Sequence, residues 1–194
     1  MKFENEVTVE IDIVIDELRK NLEENGFKVV DEYDIKDIYL INKNTYRNKN
    51  YVELLKHCVL IRNIIEKHKE TKMITYKYKE YGINNEIVKQ GKVDCHIESV
   101  REAKELLKAI DYEELIHIND HLIIYANNID EIAVQLVNNK HIYIEIEEEC
   151  NYINKKYENI DSMINVFEKY NIPIKSKDYF VKKVEIEMKE ILKF

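Results

Sequence analysis

Several charged residues in this sequence stand two apart: Glu4 and Glu6; Lys77 and Lys79; Lys92, Asp94 and His96; Glu145, Glu147 and Glu149. In an extended strand that spacing sends each set to one face, because successive side chains alternate sides. Carboxylates so placed are hard oxygen donors of the kind that hold Mg2+ or Mn2+, and cations so placed can grip phosphate oxygens. In a one-faced sheet all of them would face solvent. If the strands close on themselves, the charged faces line an interior that must hold water, ions or a polar ligand.

The hydrophobic pattern supplies the elements that would carry these residues. Strict alternation of Phe3, Val7, Val9, Ile11 and Ile13 predicts a strand over 3–13, and Val14, Leu18 and Leu22 turn the period helical until Gly26. Strand character returns over 27–41, followed by a polar stretch, 42–56, expected as a long loop. Further strands are expected at 58–65, 72–79, 86–97, 114–126, 131–137 and 141–149. A helix is expected at 99–110, where Ser99 and Glu102 make a capping box, and others at 159–170 and 178–192. With 3 Gly and 1 Pro, the turns must rest on Asn pairs such as Asn84-Asn85, Asn127-Asn128 and Asn138-Asn139, since Asn tolerates the left-handed region. About eight strands with short connections, and helices between groups of them, predict an antiparallel α+β fold with a barrel or strongly curved sheet. No repeat or Gly/Ser-rich linker interrupts residues 1–194, which are read as one domain.

Composition narrows the function classes. Thirty Lys and Arg against 38 Asp and Glu, a net charge of -8, argue against a protein that coats nucleic acid, though a basic site inside an acidic shell remains compatible. Cys58, Cys95 and Cys150 form no metal or redox spacing and are expected as small buried hydrophobes in a reducing compartment. The start MKFENEVTVEI lacks the basic and apolar regions of a signal peptide, and no run approaches the ~18 apolar residues of a membrane span. A cytoplasmic location is expected.

In order along the chain, the motifs resemble those of the CYTH, or triphosphate-tunnel, family, which includes class IV adenylate cyclases, thiamine triphosphatases and inorganic triphosphatases. Glu4-Asn5-Glu6-Val7-Thr8 is similar to the family's ExExK, with Thr8 at the lysine. VVDEYDIKDIYL is similar to QxDxYF, keeping Asp37 and Tyr39 but placing Ile35 at the glutamine. LLKHCVLIR resembles the turn into LRIR, with Arg62 retained and Leu60 at the first arginine. ITYKYK resembles LTYK and gives Lys77. RxExE appears as Lys92-Val93-Asp94-Cys95-His96, and the basic strand that follows in the family reads IHINDHLIIY, with His117 and His121 as weak cations. AVQLVNNKHIYIEIE supplies Glu145 and Glu147, with Gln135 at the usual aspartate, and SKDYF resembles the closing SYLELL.

The resemblance implies a closed or nearly closed eight-stranded antiparallel β-barrel with flanking helices, a triphosphate tunnel. It further implies Mg2+ or Mn2+ on Glu4, Glu6, Glu145 and Glu147; substrate contacts from Arg62, Lys77, Lys92, Thr8 and His121; and Lys77 and Arg62 as the catalytic cations. The implied activities are metal-dependent triphosphate hydrolysis, adenylate cyclisation, or retention of a nucleotide or phosphate without chemistry. The losses at Thr8, Leu60 and Gln135 favour a weakened site. The expected partner is a small phosphorylated molecule or nucleoside triphosphate, with no nucleic acid and no membrane; the oligomeric state, a homodimer included, is left open.

Overall fold

The computed structural model describes residues 2–3, 5–44, 54–81 and 87–192, with backbone alone at 2–3, 78–81, 87–90 and 191–192. Glu4, the Asn84-Asn85 turn and most of the expected 42–56 loop lie outside the described residues. The strands are β1 (Lys2–Phe3), β2 (Glu6–Ile11), β3 (Lys28–Asn42), β4 (Val59–Glu66), β5 (Lys69–Tyr81), β6 (Ile87–His96), β7 (Tyr112–Ala126), β8 (Glu131–Val137) and β9 (His141–Glu147). The helices are α1 (Ile15–Glu24), α2 (Val100–Ala109), α3 (Ile160–Lys169) and α4 (Lys183–Leu192). The chain divides into two compact units, one of residues 1–3, 34–119 and 182–194, the other of residues 4–33 and 120–181. β3 and β7 each contribute one half to either unit.

In the first unit the strand order is β1-β6-β5-β4-β3-β7, and the ladders from β1 to β6, β6 to β5, β5 to β4 and β4 to β3 are antiparallel. One face packs on α2. Val100, Ala103 and Leu107 recur at helical spacing and meet Ile38, Leu40, Val59, Ile61 and Ile74. The Ser99 hydroxyl accepts the Glu102 backbone N–H at 3.2 Å, so the predicted cap starts this helix. Because side chains alternate, the residues of β3 to β6 between these apolar ones point to the other face.

In the second unit the order is β3-β7-β8-β9-β2, with antiparallel ladders from β7 to β8, β8 to β9 and β9 to β2. Val7, Val9, Ile11, Ile123, Val134, Ile142, Ile144 and Ile146 form the face that packs on Leu18 and Leu22 of α1 and on Met163, Val166 and Phe167 of α3. The reverse face is buried as well, at Thr8, Leu122, Gln135 and Tyr143. Asn138 and Asn139 make the expected turn between β8 and β9, with φ of 50° and 57°, and Asn171, not singled out in the sequence, takes 49° after α3.

The second edge of β2 is met by the tail of this unit. Thr8 N–H donates to Tyr179 C=O at 3.0 Å, Val181 N–H donates to Thr8 C=O at 3.0 Å, and Lys175 N–H donates to Glu10 C=O at 2.8 Å. The hydrogen-bonded strand order accordingly has two ends, β1 and β2, and describes an antiparallel α+β sheet with flanking helices. Of the three cysteines expected inside, Cys58 is buried, Cys150 is half-buried and Cys95 is exposed on β6. Among the described residues no helix is long and apolar enough to cross a membrane.

Candidate functional site

The registers of the first unit arrange its polar face in rows. Asp37, Arg62, Met73 and His96 stand opposite one another across four strands, and Tyr39, Leu60, Thr75 and Asp94 form the next row. Lys77 stands opposite Lys92, and β1 extends that row by placing Lys2 opposite Lys92. Like charges directly opposite on neighbouring strands repel, so the Lys77–Lys92 pair across β5 and β6 is a place where an added anion is stabilising. Arg62, on the adjoining part of the same face, is gripped by Asp37. Its Nε donates to Oδ1 at 2.8 Å and its Nη2 to Oδ2 at 2.6 Å, with the two side chains 17% and 7% exposed. The Thr75 hydroxyl, itself buried, donates to Asp94 Oδ1 at 2.7 Å.

The second unit collects acids. Glu6 stands opposite Glu147 and Thr8 opposite Glu145, all on the face that turns away from α1 and α3. Gln135 Nε2 donates to Glu145 Oε2 at 3.2 Å, and Asn151 Nδ2 donates to Glu147 Oε2 at 3.3 Å. Burial, then the nearby carboxylates of Glu147, Asp31, Glu145 and Asp120, push the Tyr33 phenol up to about 12. The donor type suits Mg2+ or Mn2+. Yet among the described residues no three His, Cys, Asp or Glu side chains converge as a ligand group, and Glu4 lies outside them. The described carboxylates alone therefore do not fit a metal centre, and no step is routed through one.

His121 is not brought to that face. It stands opposite Leu136, on the side of Ile123 and Tyr125, with Nε2 3.1 Å from Glu32 Oε1. His117 pairs with Glu114 at 2.8 Å, where Lys108 also meets that carboxylate at 2.6 Å. Three features were missed in the sequence. Lys2 sits in a strand of two residues, too short to show a period. The grip of Asp37 on Arg62 depends on register, which two separate strand patterns do not state. The third is Asp130, one of the most deeply buried charges, which takes the Lys155 ammonium, Lys169 at 2.8 Å, Tyr157 at 3.0 Å and Tyr170 at 2.7 Å. Beside it Glu131 accepts the backbone N–H groups of Asn151 and Tyr152 at 2.9 and 2.7 Å, fixing the loop after β9.

Fold and registers together define a class: the chain has, in divergent form, the CYTH-type fold that its motifs resemble. The PH1819 protein of Pyrococcus horikoshii superposes with a TM-score of 0.58 at 18% identity, covering 95% of this chain and 90% of that one. A proposed adenylate cyclase of Vibrio parahaemolyticus gives 0.55 at 10% identity, over 96% and 98% of the two chains. A proposed adenylyl cyclase of Hippeastrum, described as having a dominant triphosphatase activity, gives 0.57 at 9% identity, over 96% and 95%. No protein-family model matches the sequence. No curated protein matches it either.

Proposed function

We propose that the chain binds a phosphorylated small molecule through Lys77, Lys92 and Arg62. The observation that carries this reading is the pair Lys77 and Lys92 in register across β5 and β6, four residues along the same face from the row that includes the half-buried Arg62. Phosphate oxygens are strong acceptors and reward cations held in place by strands rather than by loops. A closed or nearly closed barrel with a triphosphate tunnel belongs to this reading, although the hydrogen-bonded strand order ends at β1 and β2. So does a cytoplasmic setting, which suits three thiols without a disulfide.

Calorimetric titration with inorganic phosphate, tripolyphosphate and a nucleoside triphosphate tests it. Replacing both Lys77 and Lys92 by Ala is expected to weaken binding at least about tenfold, the scale of one or two charge-assisted contacts. Heats indistinguishable from dilution for all three compounds at millimolar concentration would refute the proposal.

The likeness to a protein described as a triphosphatase and to proposed adenylate cyclases favours a second reading, an enzyme in which Lys77 and Arg62 stabilise a phosphoryl-transfer transition state. Thr8 and Leu60 stand where the resemblance places cations, and each missing charged donor of this kind costs ~3–4 kcal/mol of barrier. Turnover of tripolyphosphate or a nucleoside triphosphate with Mg2+ or Mn2+, lost in Lys77→Ala, would establish the enzyme; the binder is the reading we favour.

A further inference from the structure

We infer that the chain pairs with a second copy of itself through the outer edge of β6, residues 93–97, about a two-fold axis at Cys95. The inference stands apart from the phosphate reading and stays within the first unit. β6 bonds to β5 along one side, while β1 meets its other side only at Gly91 and Lys92. Beyond Lys92 no strand among the described residues takes up that edge. Ile97 N–H donates to Lys72 C=O at 3.0 Å, so the odd-numbered residues here turn their backbone groups toward β5. Those of Asp94 and His96 consequently turn outward, where another extended chain can meet them.

The side chains fit a copy of this same edge. On the side of α2 an apolar patch runs out to it: Tyr76 is 39% exposed, Val93 opposite it is 52% exposed, and Cys95 is exposed as well. α2 packs on Ile38, Ile61 and Ile74 of β3 to β5 and leaves these three uncovered. In a two-fold antiparallel pair, the residues facing each other have numbers of constant sum. An axis at Val93 or at Asp94 would drive the partner's Asp94 or the partner's His96 into the place that β1 holds beside Lys92. An axis at His96 would set Asp94 against the partner's Glu98, like against like. With the axis at Cys95 the partner's strand, which ends at His96, stops short of β1. Asp94 then meets the partner's His96, Val93 meets the partner's Ile97, and the two Cys95 thiols face each other. A contact this short buries less than a standard interface, so the dimer is weak, with a Kd of roughly 10–100 μM.

Sedimentation velocity on the whole reduced chain, from micromolar concentrations to about 1 mM, is expected to show monomer giving way to dimer. Cys95→Lys sets like charges opposite each other at the axis and is expected to weaken the dimer at least about tenfold. Oxidised glutathione then reads the register: two facing thiols give up two protons and two electrons to become a disulfide, and the oxidant leaves as two molecules of reduced glutathione. Cα atoms opposite each other at a non-hydrogen-bonded position lie about 4.5 Å apart, within disulfide reach. Residue 93 lies four positions along the ladder from its own counterpart, about 14 Å away. With Cys150→Ser in place and Cys58 buried, Cys95 is expected to crosslink at least about tenfold faster than the thiol of a Val93→Cys, Cys95→Ser protein. Both positions are exposed, so neither change touches the core. A chain still monomeric at about 1 mM overturns the inference. So does equal crosslinking at the two positions, or a Cys95→Lys protein that dimerises as wild type does.

Discussion

Asp130 opposes two large effects on one carboxylate. Burial alone would push its carboxyl up; hydrogen bonds from Lys155, Lys169, Tyr170 and Tyr157 more than reverse this and hold it at about 2, against 3.8 for an ordinary aspartate. A carboxyl whose folded value is depressed contributes stability that is fully present above its unfolded value. That contribution is lost as pH falls through the folded value, here between about pH 4 and pH 2. Glu114, brought to about 2 chiefly by Lys108, titrates in the same window. Asp130→Asn is expected to cost about 2 kcal/mol at neutral pH, the lysines being half exposed and their pairing discounted accordingly, and to flatten the acid limb of the stability curve. Urea melts of both proteins at pH 7 and pH 3 check it; parallel acid limbs would assign the acid sensitivity elsewhere. In the sequence, Asp130 reads as a turn residue between two strands, because its partners lie 25 to 40 residues away. The misplaced expectation at His121 has a related origin. β7 is buried on both faces over its second half, so Leu122, Ile123 and Ile124 give no alternation to say which side is which.

Elements were more legible than their partners. The strand expected over 131–137 is β8 as found, and the helices expected at 99–110 and 159–170 are α2 and α3 to within a residue at each end. Long periodic segments with caps announce themselves locally. β1 does not, and neither does the use of an irregular tail to cover an edge. Residues 179–181, within the stretch expected to begin the last helix, instead run beside β2, and α4 starts at Lys183. An exposed edge strand is a template for unwanted pairing, and the tail covers this one. Val181→Pro removes the donor to Thr8 C=O without touching the core, and is expected to cost about 1–3 kcal/mol by leaving that carbonyl, on a buried residue, unpaired. Hydrogen exchange should show the Thr8 amide losing protection along with it. A variant as stable as wild type would mean that the strap contributes little.

At the scale of the whole molecule, sequence order preserved the fold where side-chain chemistry drifted. The resemblance runs the length of the chain, and structural neighbours at 9–18% identity cover nearly all of it, so one fold is reached with few residues in common. The candidate site has kept less. Arg62, Lys77 and Lys92 share one face, whereas the acids of β2 and β9 share theirs with Thr8 and Gln135. Metal binding is where this difference becomes measurable. A divalent ion bound to the native state alone would raise the melting temperature by mass action, by about 2.7 kcal/mol of stability at a hundred times its dissociation constant. Three described carboxylates, with Glu145 hydrogen-bonded to Gln135 and Glu147 to Asn151, do not converge as a ligand group. Millimolar Mn2+ is accordingly expected to leave the thermal melt in place, in wild type and in Glu145→Gln alike. A rise of several degrees in wild type that Glu145→Gln abolishes would instead show that Glu145 takes part in a metal site, and would favour the metal-assisted enzyme over the binder.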